Sequence, residues 1–198
     1  MNFKESKTYR NLAKAFAGES QARIRYEFLE YGARKEGFKA LSEVIDKLVY
    51  NEFNHARMFY TYLQKNSKDE ITNIDIDAGY PFKQKWDLLE NLRLAAEDEL
   101  AEAEDIYPAF ARVAEDEGYK DIAKLFEMVS KVEQQHHDIL MELYEQMKSG
   151  TMYKKEKPTL WCCADCGYRA MSREAWEECP LCKAKQGAVL LKLENDCE

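Results

Sequence analysis

The chain has 198 residues, of which 33% are charged and 45% hydrophobic, and a formal net charge of −8 at pH 7. That length can bury a sizeable core and still leave room for a small second module. The clustered positive charge that nucleic acids and anionic membrane surfaces demand is missing from the sequence, as is any run of about 18 apolar residues, so a soluble, cytosolic protein with no nucleic-acid or membrane partner is expected.

Apolar residues recur at helical spacing over residues 8–31, 40–63, 86–114 and 121–147, which predicts four long helices. Gly37 and Gly118 punctuate the first and last connections, both short enough to make their flanking helices antiparallel neighbours. Residues 66–82 form a longer connection carrying Asn, Asp, Gly and Pro, able to return the chain along the bundle as a crossover. The expected fold is mostly α: a four-helix bundle with one long crossover over residues 1–150, a charged linker at 151–158 ended by Pro158, and a cysteine-rich module at 159–198. The module has too few apolar residues to hold a fold without a cross-linking metal.

The two hairpins read as copies. An offset of 81 residues carries Gly37 onto Gly118, Tyr26 onto Tyr107, Glu52 onto Glu133 and His55 onto His136, as expected of a duplicated two-helix unit. The same offset carries Glu19 onto Leu100, one place beyond Glu99. An extra residue absorbed as a π-bulge between Glu99 and Tyr107 reconciles the registers. Pro108 loosens that region further, because it has no N–H for the carbonyl of Glu104.

Acidic residues interrupt every apolar seam. Positions 41, 45, 48, 52, 55, 59 and 62 read Leu, Ile, Leu, Glu, His, Phe, Tyr, and positions 122, 126, 129, 133, 136, 140 and 143 read Ile, Phe, Val, Glu, His, Leu, Leu. Glu19 breaks the first seam, and Glu99 with Glu102 the third. Five carboxylates inside a bundle repel one another and cost several kcal/mol each unless cations compensate them. Two divalent ions nearly neutralise the set. Residues three apart share a helix face, so Glu52 with His55 and Glu133 with His136 can each converge on one point. A Glu from each of two helices plus Glu-x-x-His from each of the others is the inward pattern of di-metal carboxylate bundles, and hard oxygen donors with one or two imidazoles suit iron or manganese. Tyr26 and Tyr107, near these carboxylates, are either packing or hydrogen-bond donors to them. His137, about 100° around the helix from His136, is expected at the surface, and Glu97, Asp98, Glu104 and Asp105 as exposed charge.

Five of the six cysteines lie between residues 162 and 182. Cys163 with Cys166 and Cys179 with Cys182 form two Cys-x-x-Cys knuckles, which together offer tetrahedral sulfur coordination to iron or zinc. Cys162 and Cys197 fall outside that spacing and read as free thiols, and a reducing compartment follows.

These motifs together, with Ala17-Gly18-Glu19-Ser20 and Glu99-x-x-Glu102 ahead of Tyr107-Pro108, make nearly the whole chain resemble the rubrerythrin family: a ferritin-like di-iron bundle followed by a rubredoxin-like domain. The Trp161-Cys162-Cys163 start departs from the family by one additional thiol. The resemblance implies a peroxidase that protects against oxidative stress, passing two electrons from a reduced di-iron centre to hydrogen peroxide. It implies that Glu52 and Glu133 bridge two irons, that Glu19, Glu99 and His136 are terminal ligands, and that one iron takes Glu102 when oxidised and His55 when reduced. It further implies that a third iron, held by Cys163, Cys166, Cys179 and Cys182, relays electrons from rubredoxin or an NAD(P)H-dependent reductase, and that two copies form a head-to-tail homodimer. Two competing readings remain. One is a ferritin-like ferroxidase or iron-storage protein, and the other is a zinc-bearing interaction platform with a metal-buffering bundle.

Overall fold

The computed structural model describes residues 2–67, 70, 72–77, 79 and 86–194. Two long helices, α1 (Lys7–Lys35) and α2 (Lys39–Asn66), form the first hairpin. The second hairpin pairs α5 (Lys120–Ser149) with a helix in three parts: α3 (Leu88–Ala101), a π turn (Glu102–Ile106) and α4 (Tyr107–Asp116). Among the described residues no helix is long and apolar enough to cross a membrane.

The repeat extends to backbone hydrogen bonds. At the end of α1, Glu36, Gly37 and Phe38 donate to the carbonyls of Gly32, Arg34 and Ala33, and 81 residues later Glu117, Gly118 and Tyr119 donate to Val113, Glu115 and Ala114. Gly37 and Gly118 take φ of +90° and +85°, the left-handed conformation that such helix ends require. The hairpins are also tied together at one end. The Glu117 carboxylate accepts from the N–H groups of Lys7 and Thr8 at 3.0 and 2.8 Å, satisfying donors that the first turn of α1 leaves free.

Described parts of the chain between α2 and α3, which includes the expected 66–82 connection, trace a return along α1. The Lys4 ammonium donates to the Glu70 carbonyl at 2.8 Å, Asp77 and Gly79 lie beside Lys14 and Gly18, and Trp86 covers Gly32 and donates to Glu36 at 2.8 Å. A Cβ at position 32 would sit 1.7 Å from the Trp86 ring, so glycine makes the slot in which the returning chain is seated. Residues 68, 69, 71, 78 and 80–85 of this connection lie outside the described residues.

The expected π-bulge is present. The Tyr107 N–H donates to the Glu102 carbonyl, five residues back. In that register position 108 would serve the Ala103 carbonyl, but proline has no N–H. The Ser130 hydroxyl donates to that carbonyl instead, at 3.1 Å.

Two apolar layers fill the bundle, one around Leu12, Phe59, Tyr107, Phe126 and Val129 and the other around Tyr26, Leu29, Ile45, Leu92 and Leu140. The buried acids lie between them. The C-terminal module is a two-stranded antiparallel sheet, β1 (Lys154–Cys162) and β2 (Arg169–Glu174), over a small core of Trp161, Ala175 and Val189. Residues 154–158, expected as linker, therefore run as the start of β1, with an irregular register before Thr159. Charge and Pro158 are tolerated there because a two-stranded sheet leaves edges facing solvent.

The module is clamped to the bundle. Gly187 lies so close to the Gly37 carbonyl that a Cβ would come within 1.8 Å of it. Lys39 pairs with Asp165, Gln146 donates to the Lys192 carbonyl at 2.9 Å, and the Glu142 carboxylate accepts the Glu194 N–H at 3.0 Å. Leu191 and Leu193 pack on the second apolar layer.

Candidate metal centres

Helical spacing brings the seam acids to one level. Glu19 comes from α1, Glu52 and His55 from α2, Glu99 from α3, and Glu133 and His136 from α5, and all six are buried. They fall into two groups, Glu19 with Glu52, His55 and Glu133, and Glu52 with Glu99, Glu133 and His136, each with ligand atoms within 4.8 Å of one another. Glu52 and Glu133 belong to both.

Both imidazoles turn Nδ1 inward. His55 Nδ1 lies 3.0 Å from Glu52 Oε2 and Glu133 Oε1, and 3.6 Å from Glu19 Oε2. His136 Nδ1 lies 2.8 Å from Glu52 Oε1 and Glu133 Oε2. Yet Glu19 Oε2, Glu52 Oε1, Glu99 Oε2, both Glu133 oxygens and His136 Nδ1 are buried without a hydrogen-bond partner. Orphaned donor atoms this close together converge on shared points rather than pairing with one another. Two cations sharing Glu52 and Glu133 would satisfy them, and this mixed carboxylate and imidazole set fits a di-iron site.

Electrostatics agree with the geometry. Burial, followed by repulsion from Glu133, raises the Glu19 carboxyl well above its usual range, and burial with Glu52 and Glu133 does the same to Glu99. Burial alone would lower His136, but Glu52 and Glu133 push it up to about 9. Glu52 is driven up by burial and more strongly down by the two imidazoles, so that it stays ionised. In the absence of cations the cluster is tolerable only because its outer members hold protons.

The phenol of Tyr26 donates to Glu99 and that of Tyr107 donates to Glu19, which places both tyrosines against the cluster as hydrogen-bond donors. Burial, with the neighbouring carboxylates, raises both phenols, so they keep the protons they donate. Glu102 stands apart from both groups, half-buried at the start of the π turn. Its Oε1 lies 4.0 Å from where a Cβ on Gly18 would be. A cavity of about 200 Å³ opens beside it, lined by Lys14, Gly18, Arg25, Asp77 and Tyr107 among others. Burial, Glu133 and Glu52 raise the Glu102 carboxyl to about 8, against the pull of Arg25.

Some neighbours differ from expectation. His137 is half-buried and donates from Nδ1 to the Ala96 carbonyl at 2.8 Å, because α5 packs closely on α3 there. Asp98 is a half-buried partner of Arg25 rather than free surface charge. Asn51 was not singled out by the seam pattern, yet its amide lies 3.2 Å from His136 Nε2. It sits off the seam, and an Asn inside a helix is only a weak signal.

In the C-terminal module the four thiols of the two knuckles lie within 4.8 Å of one another, with Cys163 and Cys182, and Cys166 and Cys179, 3.7 Å apart. Each knuckle is followed by a positive φ, at Gly167 (+72°) and Lys183 (+66°). Burial opposes ionisation of Cys179, but the N–H groups of Cys182 and Leu181 outweigh it and bring the thiol to about 7. Cys163 and Cys179 are buried and Cys166 and Cys182 exposed, so the site reaches the surface on one side. Four cysteines in this arrangement fit a rubredoxin-like iron. Cys162 is a half-buried free thiol, and Cys197 lies outside the described residues.

Comparison with known proteins places these features together. The profile of the Rubrerythrin family matches residues 10–148. Rubrerythrin of Clostridium perfringens is 39% identical over 181 residues, 91% of this chain and 92% of that protein. Rubrerythrin-1 of Clostridium acetobutylicum is 37% identical over 194 residues, 98% of each. Among solved structures, the mixed-valence state of nigerythrin covers 97% of this chain and 94% of its own at a TM-score of 0.62, and at 24% identity it attests the fold alone.

Proposed function

The chain belongs to the rubrerythrin family, and on that premise we propose that it is a cytoplasmic non-haem di-iron peroxidase that protects against oxidative stress. The reaction consumes one hydrogen peroxide, two electrons and two protons and releases two waters. Its electrons come from rubredoxin or an NAD(P)H-dependent reductase. The observation that carries the reading is the pairing, on one chain, of a two-centre carboxylate cluster with a four-cysteine site that opens to the surface. Iron storage or ferroxidase action needs the first and has no task for the second.

Two ferrous ions bound in the cluster would supply the electrons that break the peroxide bond, and iron held by Cys163, Cys166, Cys179 and Cys182 would return them singly. Glu52 and Glu133, common to both groups, would be shared by the two ions. Glu19, Glu99 and His136 would complete the set that holds the ions, the two glutamates held in turn by Tyr107 and Tyr26. His55, inside the cluster, would hold an ion directly, and Glu102, outside it, is the spare carboxylate. The cavity beside Glu102 gives a molecule as small as peroxide a way in. Glu102 stands at the mouth of that cavity, where its carboxyl can hand a proton to a leaving oxygen.

A head-to-tail homodimer completes the reading. The four-cysteine module docks where α2 begins, and Glu52 lies thirteen residues beyond Lys39, about 20 Å along the helix axis. That is a long step for an electron, and the clamped module cannot swing to shorten it. A partner's module can supply the shorter path. The exposed aromatic face of α1 and α2, with Phe16, Phe28, Tyr31, Tyr50, Phe53 and Tyr60, is a fitting surface for a second copy.

The test is metal content together with turnover. Iron at both sites, a red iron–thiolate spectrum and rapid peroxide consumption with a reductase are expected. Stoichiometric zinc in the cysteine site, or an oxygen-driven mineral core, would favour the competing readings.

A further inference from the structure

Within the cluster the two imidazoles are nearly equivalent. Each presents Nδ1 to oxygens of both Glu52 and Glu133, and each sits three residues after its own glutamate. They differ on the outer nitrogen. His136 Nε2 lies 3.2 Å from the Asn51 amide, whereas His55 Nε2 has no hydrogen-bond partner among the described residues. The repeat locates the cause, since the offset of 81 carries Asn51 onto Val132. Both are half-buried, one place before the glutamate of their helix, but valine has no polar atom to offer.

An imidazole that ligates a cation through Nδ1 must carry its proton on Nε2, and that proton needs an acceptor if the ring is to stay in place. A carboxamide can serve, because rotating the side chain exchanges its Nδ2 donor for its Oδ1 acceptor. Asn51 can thus follow His136 from the cation-free to the cation-bound state. His55 has no such anchor, and its group is the one that contains Glu19, whose neighbour Gly18 abuts Glu102. The unanchored imidazole and the spare carboxylate therefore attend the same metal position.

We propose that Asn51 is the positioning residue that makes His136 the fixed nitrogen ligand, and that Val132 at the matching place leaves His55 free to exchange with Glu102. This rests on the di-iron reading above and explains which of two equivalent histidines is the mobile one.

The test is anaerobic titration of the full chain with ferrous ion, the four-cysteine site already filled, resolving the two binding steps at the cluster. Asn51→Leu, equal in size but without polar atoms, is expected to weaken one step by roughly 10–100-fold and leave the other unchanged. Asn51→Asp, which keeps an acceptor, is expected to retain both. The melting temperature of the cation-free Asn51→Leu protein should match the parent, which separates positioning from general damage. Val132→Asn is expected to tighten the other step, and it carries the test should Asn51→Leu misfold. Unchanged steps in Asn51→Leu, or no effect of Val132→Asn where Asn51→Leu misfolds, would overturn the proposal. A parent protein binding fewer than two ferrous ions at the cluster would instead overturn the di-iron reading, and the proposal with it.

Discussion

The first hairpin, α1 with α2, is uninterrupted α-helix, while its copy, α3 through α5, carries a π turn at Glu102–Ile106. Both supply one glutamate that belongs to a single group, one Glu-x-x-His pair and one tyrosine that reaches across to the other hairpin's glutamate. They differ in what surrounds that set. Matching Glu19 to Glu99 sets Glu102 against the buried Ala22, and matching the glutamates at 52 and 133 sets Asn51 against Val132. A duplicated frame thus makes a symmetrical two-cation cage, and a few unmatched residues make its two positions chemically unequal.

Breaking the shared part should have the largest effect. Glu52→Ala removes a carboxylate common to both positions and is expected to abolish di-iron binding and peroxidase activity, while leaving the iron–thiolate colour intact. Retained turnover would refute the assignment of the cluster.

Erasing the difference between hairpins should have a smaller effect. Deleting Ala103 removes the residue that the π turn absorbs, so α3 and α4 become one α-helix in register with α1. The ligands common to both hairpins remain and Tyr107 takes the place that Tyr26 holds in α1, but Glu102 moves out of the π turn into the α-helical position of the buried Ala22. Turnover is expected to fall roughly 10–100-fold with both cations still bound. Unchanged peroxide kinetics would show that the extra residue has no catalytic consequence.

A pH dependence of stability is expected as well, and it is the mildest of these effects. Glu19 and Glu99, one from each hairpin, have carboxyls raised above the usual 4.5, Glu102 is raised to about 8, and His136 is raised from 6.5 to about 9. Between those values the folded, cation-free chain holds more protons than the unfolded one, so its stability falls as pH rises. It should melt roughly 5 °C or more lower at pH 8.5 than at pH 6. Bound cations displace the same protons, so the loaded protein should show a shallower slope. A melting temperature that rises over this range in the cation-free protein would contradict the proton placement.

Much of this was legible in the sequence because helix periodicity is local and strict. An acid on an apolar seam stands out, two Glu-x-x-His pairs at one offset stand out further, and the one-residue mismatch between Glu19 and Glu99 was enough to foresee the π turn. What stayed hidden depends on contacts between distant segments. Asn51 lies off the seam and matters only because α5 brings His136 beside it. Asp98 among its acidic neighbours gives no sign of Arg25, and His137 gives none of the Ala96 carbonyl. The docking of the C-terminal module depends on the bare backbones of Gly187 and Gly37 meeting, and neither glycine points to the other in the sequence. Residues 154–158 read as linker because their charges belong to an exposed strand, whose pairing partner is set by the module rather than by its own pattern.

The proposed function requires electrons to pass from the four-cysteine iron to peroxide through the carboxylate cluster. Rapid mixing of fully reduced protein with hydrogen peroxide, followed by the absorption of oxidised iron–thiolate, tests it most directly. Prompt return of the colour in the parent protein, and its loss in Glu52→Ala, is the predicted result. Equal rates in the two proteins would mean that peroxide reaches the thiolate iron without the cluster, and would rule out the proposed route.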